Sequence, residues 1–187
     1  MQERILIVDD EPGILHALNR LIRQGLTTPG GERYAVDECS NGAEALEQAR
    51  RHVYALAISD YRMPVMNGVE FLTGLRALQP DCQRMIVSGY ADMDALVRGL
   101  NDAGIVRFIG KPWVDLDLLC SVRQVLQMRD VMLENQRLAD LVRVQQGRLT
   151  AQEAELKRLE LLEPGLTQVQ WDDDGSFILE DPGEVRL

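Results

Sequence analysis

Arg4-Ile5-Leu6-Ile7-Val8-Asp9-Asp10-Glu11-Pro12 is the stretch on which the reading of this chain turns. Four consecutive apolar side chains suit a short strand buried on both faces, and the run stops abruptly at two carboxylates. Pro12 then presets the backbone for a helix start, and Ile14, Leu15, Leu18, Leu21 and Ile22 recur at helical spacing until Gly25. Strand, acidic loop and helix form the first unit.

Outward from it the unit repeats. Residues 27–31, with proline and two glycines, read as a turn; residues 34–39 read as a second strand; Asn41 followed by Glu44 predicts a capping box opening a helix to about residue 51. Residues 54–59 form a third strand, and Val69, Phe71, Leu72, Leu75 and Leu78 mark a third helix closed by Pro80 and Asp81. A fourth strand is expected over 84–88, a fourth helix over 92–101, a fifth strand over 105–109, and a last helix just after Pro112. Near-continuous apolar strands alternating with helices predict a doubly wound, flavodoxin-like α/β fold with a five-stranded parallel sheet covered on both faces. In such sheets ligands sit at the carboxyl ends of the strands, where the winding direction reverses.

The residues expected at those ends are Asp9 and Asp10 after the first strand, Asp60 after the third, Ser88 after the fourth and Lys111 after the fifth. Clustered carboxylates repel one another, so the cluster calls for a hard cation, and Mg²⁺ with its oxygen preference fits. A carboxylate can attack a phosphorus centre and form an acyl phosphate when cations screen the incoming oxygens. Lys111 can supply such a charge; the chain has one other lysine, Lys157. Ser88 can donate a hydroxyl hydrogen bond. His16 and His52 show no paired-ligand pattern and receive no role.

Four motifs carry a family resemblance: Ile-Leu-Ile-Val-Asp-Asp-Glu-Pro (5–12), Ser-Asp-Tyr-Arg-Met-Pro-Val-Met-Asn-Gly (59–68), Ser-Gly-Tyr (88–90) and Phe-Ile-Gly-Lys-Pro-Trp (108–113). From about residue 3 to residue 127 the chain resembles the receiver domain (CheY-like) of two-component response regulators, of the type found in hydrogenase-regulating and HD-GYP-type regulators. The resemblance implies that Asp60 accepts a phosphoryl group from a partner sensor histidine kinase. It implies that Asp9 and Asp10 place Mg²⁺ with help from Asp60 and the backbone carbonyl of Arg62, and that Lys111 and Ser88 contact the phosphoryl oxygens. Phe108 stands where the family has its rotating switch aromatic, and the Lys111–Pro112 bond resembles the family's cis peptide. Ser88 and Phe108 would then remodel the face made by the fourth helix, the fifth strand and the last helix. Driving such an equilibrium from mostly off to mostly on takes about 5.5 kcal/mol of differential interaction. Arg62 and Tyr90 border the attacking water's route in this family, and their bulk implies slow dephosphorylation. The resemblance describes a self-modifying switch, not a turnover enzyme.

Composition fits this reading. A chain of 187 residues, 45% hydrophobic, can bury one ordinary core and carry an extension. No apolar run reaches the roughly 20 residues of a membrane span, and no signal peptide is visible at the start, so a cytoplasmic protein is expected. Cys39, Cys82 and Cys120 lack CxxC spacing and are expected as buried, inert thiols. The net charge of −10 divides into −4 over residues 1–127 and −6 over 128–187, without the basic stripe that phosphate contacts require; direct nucleic-acid binding is not expected.

The organisation expected is a receiver over 1–127, a coiled-coil stalk over 128–163 that continues the last helix, and a tail over 164–187. Between Trp113 and Glu163 there is no proline and one glycine, Gly147. A heptad register places Met128, Asn135, Val142, Leu149 and Leu156 at one inner position and Val131, Leu138, Gln145, Gln152 and Leu159 at the other, with seven of ten apolar. This predicts a homodimer through the stalk, Asn135 favouring a specific register. For a parallel pair Arg148 with Glu153 attracts and Glu155 with Glu160 repels. Pro164 and Gly165 end the helix, and Val169–Trp171 and Ser176–Leu179 read as a small β-hairpin that needs a surface to cover, with a disordered acidic tail as the alternative.

Two functions from different classes remain. One is a response regulator acting by contact with an undetermined protein effector. The other is the regulatory portion of a larger cyclic-dinucleotide enzyme or transcriptional regulator, although no GxxxxGK loop or paired-His metal motif is present to supply such chemistry.

Overall fold

Ile5 and Ile7 point to one side of the first strand and Leu6 and Val8 to the other, and all four are fully buried. A strand with two apolar faces needs a helical layer on each. In the computed structural model, which describes residues 3–89, 103–146 and 150–162, both layers are present. Helices α1 (Pro12–Gly25) and α4 (Asp115–Gln145) cover one face with Leu15, Leu18, Ile22, Leu118, Val122 and Val125. Helices α2 (Gly42–Arg51) and α3 (Gly68–Leu78) cover the other with Ala45, Ala49, Phe71, Leu72 and Leu75.

The sheet contains β1 (Arg4–Val8), β2 (Ala35–Cys39), β3 (Leu56–Asp60), β4 (Gln83–Gly89) and β5 (Arg107–Lys111) in the order β2-β1-β3-β4-β5, all parallel. This is the flavodoxin-like order that the alternation of elements implies. The winding reverses between β1 and β3, where Val8 lies beside Ser59. Asp9 and Asp60 therefore emerge side by side.

The fifth strand is displaced from its expected position, running over Arg107–Lys111 rather than 105–109. Apolar content suggested the earlier start, but pairing with β4 sets the register, and Phe108 lies opposite Ile86 and Lys111 opposite Gly89. The fourth helix expected over 92–101 and the hairpin expected over 169–179 lie outside the described residues. Cys39 and Cys82 are buried, and burial pushes each thiol up to about 12. Cys120 is exposed on α4, so the expectation of three buried thiols fails there. No helix among the described residues is long and apolar enough to cross a membrane.

The expected single stalk helix is two helices. Arg129 ties α4 to the base of the domain through the carbonyl of Asp81 (3.3 Å) and the carboxylate of Glu3 (3.4 Å). Beyond that α4 continues past the domain to Gln145, and a new helix, α5, spans Ala151–Leu162. Thr150 and Glu153 start α5 with a reciprocal cap: the Thr150 N–H donates to Glu153 Oε2 (2.7 Å) and the Glu153 N–H to Thr150 Oγ1 (3.2 Å). The Thr-x-x-Glu signal was present in the sequence and was overridden by the heptad pattern. Lys157 Nζ lies 3.9 Å from Asp140 Oδ1. In one straight helix those residues would be about 25 Å apart, so α5 folds back along α4.

Helix caps reveal another signal. Asn41 caps α2 by accepting the Glu44 N–H (2.9 Å), but the Glu44 carboxylate reaches the Ser40 N–H (3.3 Å) instead of closing the box on Asn41. A complete box occurs at α3, where Asn67 and Glu70 each accept the other's backbone N–H at 3.0 Å. Asn67→Ala should destabilise the domain by about 1 kcal/mol in chemical denaturation, leaving the slope of the transition unchanged.

Candidate functional site

Strand β4 lies between β3 and β5, so a side chain on β5 must reach across about 10 Å to meet one on β3. Lys111, the last residue of β5, has a stem long enough. Its Nζ lies 2.6 Å from Asp60 Oδ1 and 2.8 Å from Asp9 Oδ2, joining the ends of β1, β3 and β5 through one ammonium. Asp9 is 1% exposed and Asp60 7% exposed.

Backbone donors hold the remaining carboxylate oxygens. The Glu11 N–H donates to Asp9 Oδ1 (2.9 Å), and the Arg62 N–H donates to Asp60 Oδ2. Behind Asp60 the hydroxyl of Ser59 donates to the Asp60 carbonyl (2.8 Å), and the Gly68 N–H donates to the Tyr61 carbonyl (2.9 Å). A Cβ at position 68 would stand 2.0 Å from the Asp60 carbonyl oxygen, so only glycine lets the loop close here. Val65 in the same loop is fully exposed and adopts φ 69°, a left-handed conformation that a β-branched residue rarely takes.

Burial raises the Asp60 carboxyl above its ordinary range; the ammonium of Lys111 opposes that rise and the charge of Asp9 adds to it. Burial alone would lower the Lys111 amine, but the hydrogen bonds and charges of Asp60 and Asp9 together push it up. An amine held above its ordinary range is an ammonium throughout the neutral range, and it lies 2.6 and 2.8 Å from the two carboxylates.

Of the five residues expected at the strand ends, three are joined directly. Asp9, Asp60 and Lys111 meet. Ser88 is buried within β4, one position beyond the partner of Asp60 and opposite Gly110. Asp10 is exposed, and among the described residues no three acidic, histidine or cysteine side chains are grouped to hold a metal ion. Two buried carboxylates and an ammonium form the centre of the site, with the exposed Asp10 next to Asp9 in the chain. The donor set still fits Mg²⁺ in kind, since Asp9, Asp10, Asp60 and the Arg62 carbonyl offer only hard oxygen atoms. Phe108 is half-buried against the core on the α2 and α3 side, and the Lys111–Pro112 bond is cis, as the resemblance implies. Tyr90 lies outside the described residues.

The description of the response regulator receiver domain family matches residues 5–123. The chain belongs to that family. The match covers every strand of the sheet and the acidic and lysine positions at its carboxyl ends. Among curated proteins the chain is similar to the hydrogenase transcriptional regulatory protein HoxA of Cupriavidus necator, with 34% identity over 137 residues, covering 73% of this chain and 27% of HoxA. It is also similar to the C4-dicarboxylate transport transcriptional regulatory protein DctD of Pseudomonas aeruginosa, with 31% identity over 175 residues, covering 91% of this chain and 36% of DctD. The chain thus spans about a quarter to a third of these relatives' lengths. A CheY-like receiver domain structure from Methanospirillum hungatei has 29% identity and a TM-score of 0.62, covering 71% of this chain and 99% of that one.

Residue-type reasoning did not single out three parts of this receiver site. Ser59 and Gly68 lie inside the motif at 59–68, but their contact with the Asp60 carbonyl depends on loop closure. Val65 carries no signal of its own, because valine usually marks a strand and its left-handed backbone appears only in three dimensions.

Removing one partner of a buried ion pair costs about 3–5 kcal/mol; Lys111 is 19% exposed, so Lys111→Gln should lie near the lower figure. The loss should shrink as pH falls into the carboxylate range, because the facing acids become neutral. In the wild type Lys111 has the opposite sign. Its raised amine contributes stability that is complete below the ordinary lysine range and lost as pH rises through its folded-state value. Denaturation midpoints of both proteins across pH check both signs.

Proposed function

We propose that Asp60 is the phosphoacceptor of a two-component switch and that a sensor histidine kinase is its donor. The observation carrying this reading is the buried Asp60 carboxylate 2.6 Å from the Lys111 ammonium, with Asp9 on the other side of the same amine. An oxygen of Asp60 attacks the donor phosphorus as the bond from phosphorus to the donor imidazole breaks, and the imidazole leaves. The result is an acyl phosphate on Asp60. Charge developing on the phosphoryl oxygens meets the ammonium of Lys111, which need not be recruited during the reaction.

Asp9, Asp10, Asp60 and the Arg62 carbonyl would hold Mg²⁺, which when bound supplies Lewis-acid screening of phosphoryl charge. The N–H groups of Glu11 and Arg62 keep the carboxylates oriented. Ser88 then turns its hydroxyl toward a phosphoryl oxygen, and Phe108, packed on the neighbouring strand, fills the space released. Arg62 and Tyr90 restrict water, so the acyl phosphate is slow to hydrolyse. The domain changes state by modifying itself and does not turn over a substrate.

Output passes by contact, through the switched face and a homodimer formed along α4, where heptad residues Met128, Val131, Leu138 and Val142 are all exposed. A second reading, the regulatory module of a longer transcriptional regulator, is favoured by the 27% and 36% of HoxA and DctD that the chain covers. In either case a cytoplasmic setting suits the proposed kinase partner.

Incubated with Mg²⁺ and acetyl phosphate, the wild type should gain one phosphoryl group by intact mass, localised to Asp60. Asp60→Asn should gain none, and chelation of the metal should abolish the gain in the wild type. Modification of Asp60→Asn to the wild-type extent would refute the assignment.

A further inference from the structure

The two faces of α4 beyond the domain differ. Leu133, Asp140 and Val144 are half-buried along one side, where α5 returns and Lys157 meets Asp140. With 3.6 residues per turn, Met128, Val131, Asn135, Leu138 and Val142 form a stripe on roughly the opposite side, and every one is exposed. The fold-back of α5 therefore leaves the heptad stripe uncovered, while removing α5 from its continuation.

We propose that a second copy of this chain docks on the α4 stripe, that the seam ends near Gln145, and that α5 lies outside it in a hairpin that carries the chain back toward the receiver. This deepens, and rests on, the homodimer reading. Charge favours a second copy here. Residues 128–162 hold six basic and six acidic side chains and are neutral, whereas residues 1–127 carry −4 and residues 163–187 carry −6. Two copies repel through the flanking segments and can approach along the neutral hairpin. The positions beside the seam also suit a like helix: Met132 and Ala139 flank one side and Glu134 and Leu141 the other, with no like-charge pair facing across it in a parallel dimer.

The hairpin has a consequence for output. Because Lys157 lies level with Asp140, Leu162 ends α5 near the level of residue 135, about 12 Å along the helix from residue 127. The end of α5 at Leu162 thus lies nearer the receiver than the tip of one straight rod would, and a change at the receiver can act there without passing along a continuous coiled coil.

The test uses the full chain with exposed Cys120 changed to serine, the other two cysteines being buried. Under mild oxidation Val142→Cys should give a disulfide-linked dimer and Leu156→Cys should not. Separately, spin labels at Arg137 and Arg158, in samples diluted with unlabelled protein, should lie about 10–20 Å apart for packed helices, against about 32 Å for one straight helix. Equal crosslinking at 142 and 156, or the long distance, would overturn the hairpin seam. A protein monomeric at every concentration, with the short distance retained, would instead overturn the dimer reading and the docking surface with it.

Discussion

Two carboxylates held together in a buried crevice repel one another, and in this receiver domain a single lysine offsets the repulsion. The Lys111 ammonium sits within hydrogen-bond distance of Asp60 and of Asp9, so three strands distant in sequence share one electrostatic junction. The parallel order β2-β1-β3-β4-β5 makes that junction possible by opening a crevice between β1 and β3, in which Asp9 and Asp60 are both buried. In a low-dielectric setting the same ammonium that stabilises the resting carboxylates is already aimed at the charge a phosphoryl group would bring.

Around the junction the backbone contributes as much as side chains do. Glu11 and Arg62 offer N–H groups to the outer carboxylate oxygens, and the turn behind Asp60 closes because Gly68 has no Cβ to strike the Asp60 carbonyl. Val65, displayed in a left-handed conformation on the same loop, marks where this tight closure is taken up by the chain.

Much of this was legible before any coordinates. Ile5 to Val8 advertised a doubly buried strand, and the acidic and lysine positions at strand ends pointed to one crevice. What failed did so for identifiable reasons. The fifth strand was misplaced by two residues because its register comes from pairing with β4, a long-range term that apolar content does not report. The stalk was drawn as one helix because a seven-residue apolar pattern outweighed Thr150 and Glu153, although those two form the cap of a new helix. The full box at Asn67 and Glu70 is likewise a local, polar signal that hydrophobic spacing does not report.

The fold-back of α5 alters how a signal could leave the domain, since the helix emerging from the switch keeps an uncovered apolar stripe while its continuation returns. All of it depends on the lysine junction responding to a phosphoryl-like group. The chain has only two lysines, so ¹⁵N-lysine NMR gives two ammonium signals. Addition of beryllium fluoride with Mg²⁺ should shift the Lys111 signal, leave Lys157 in place, and do neither in Asp60→Asn; an unmoved Lys111 signal, or the same shift without Asp60, would contradict the account.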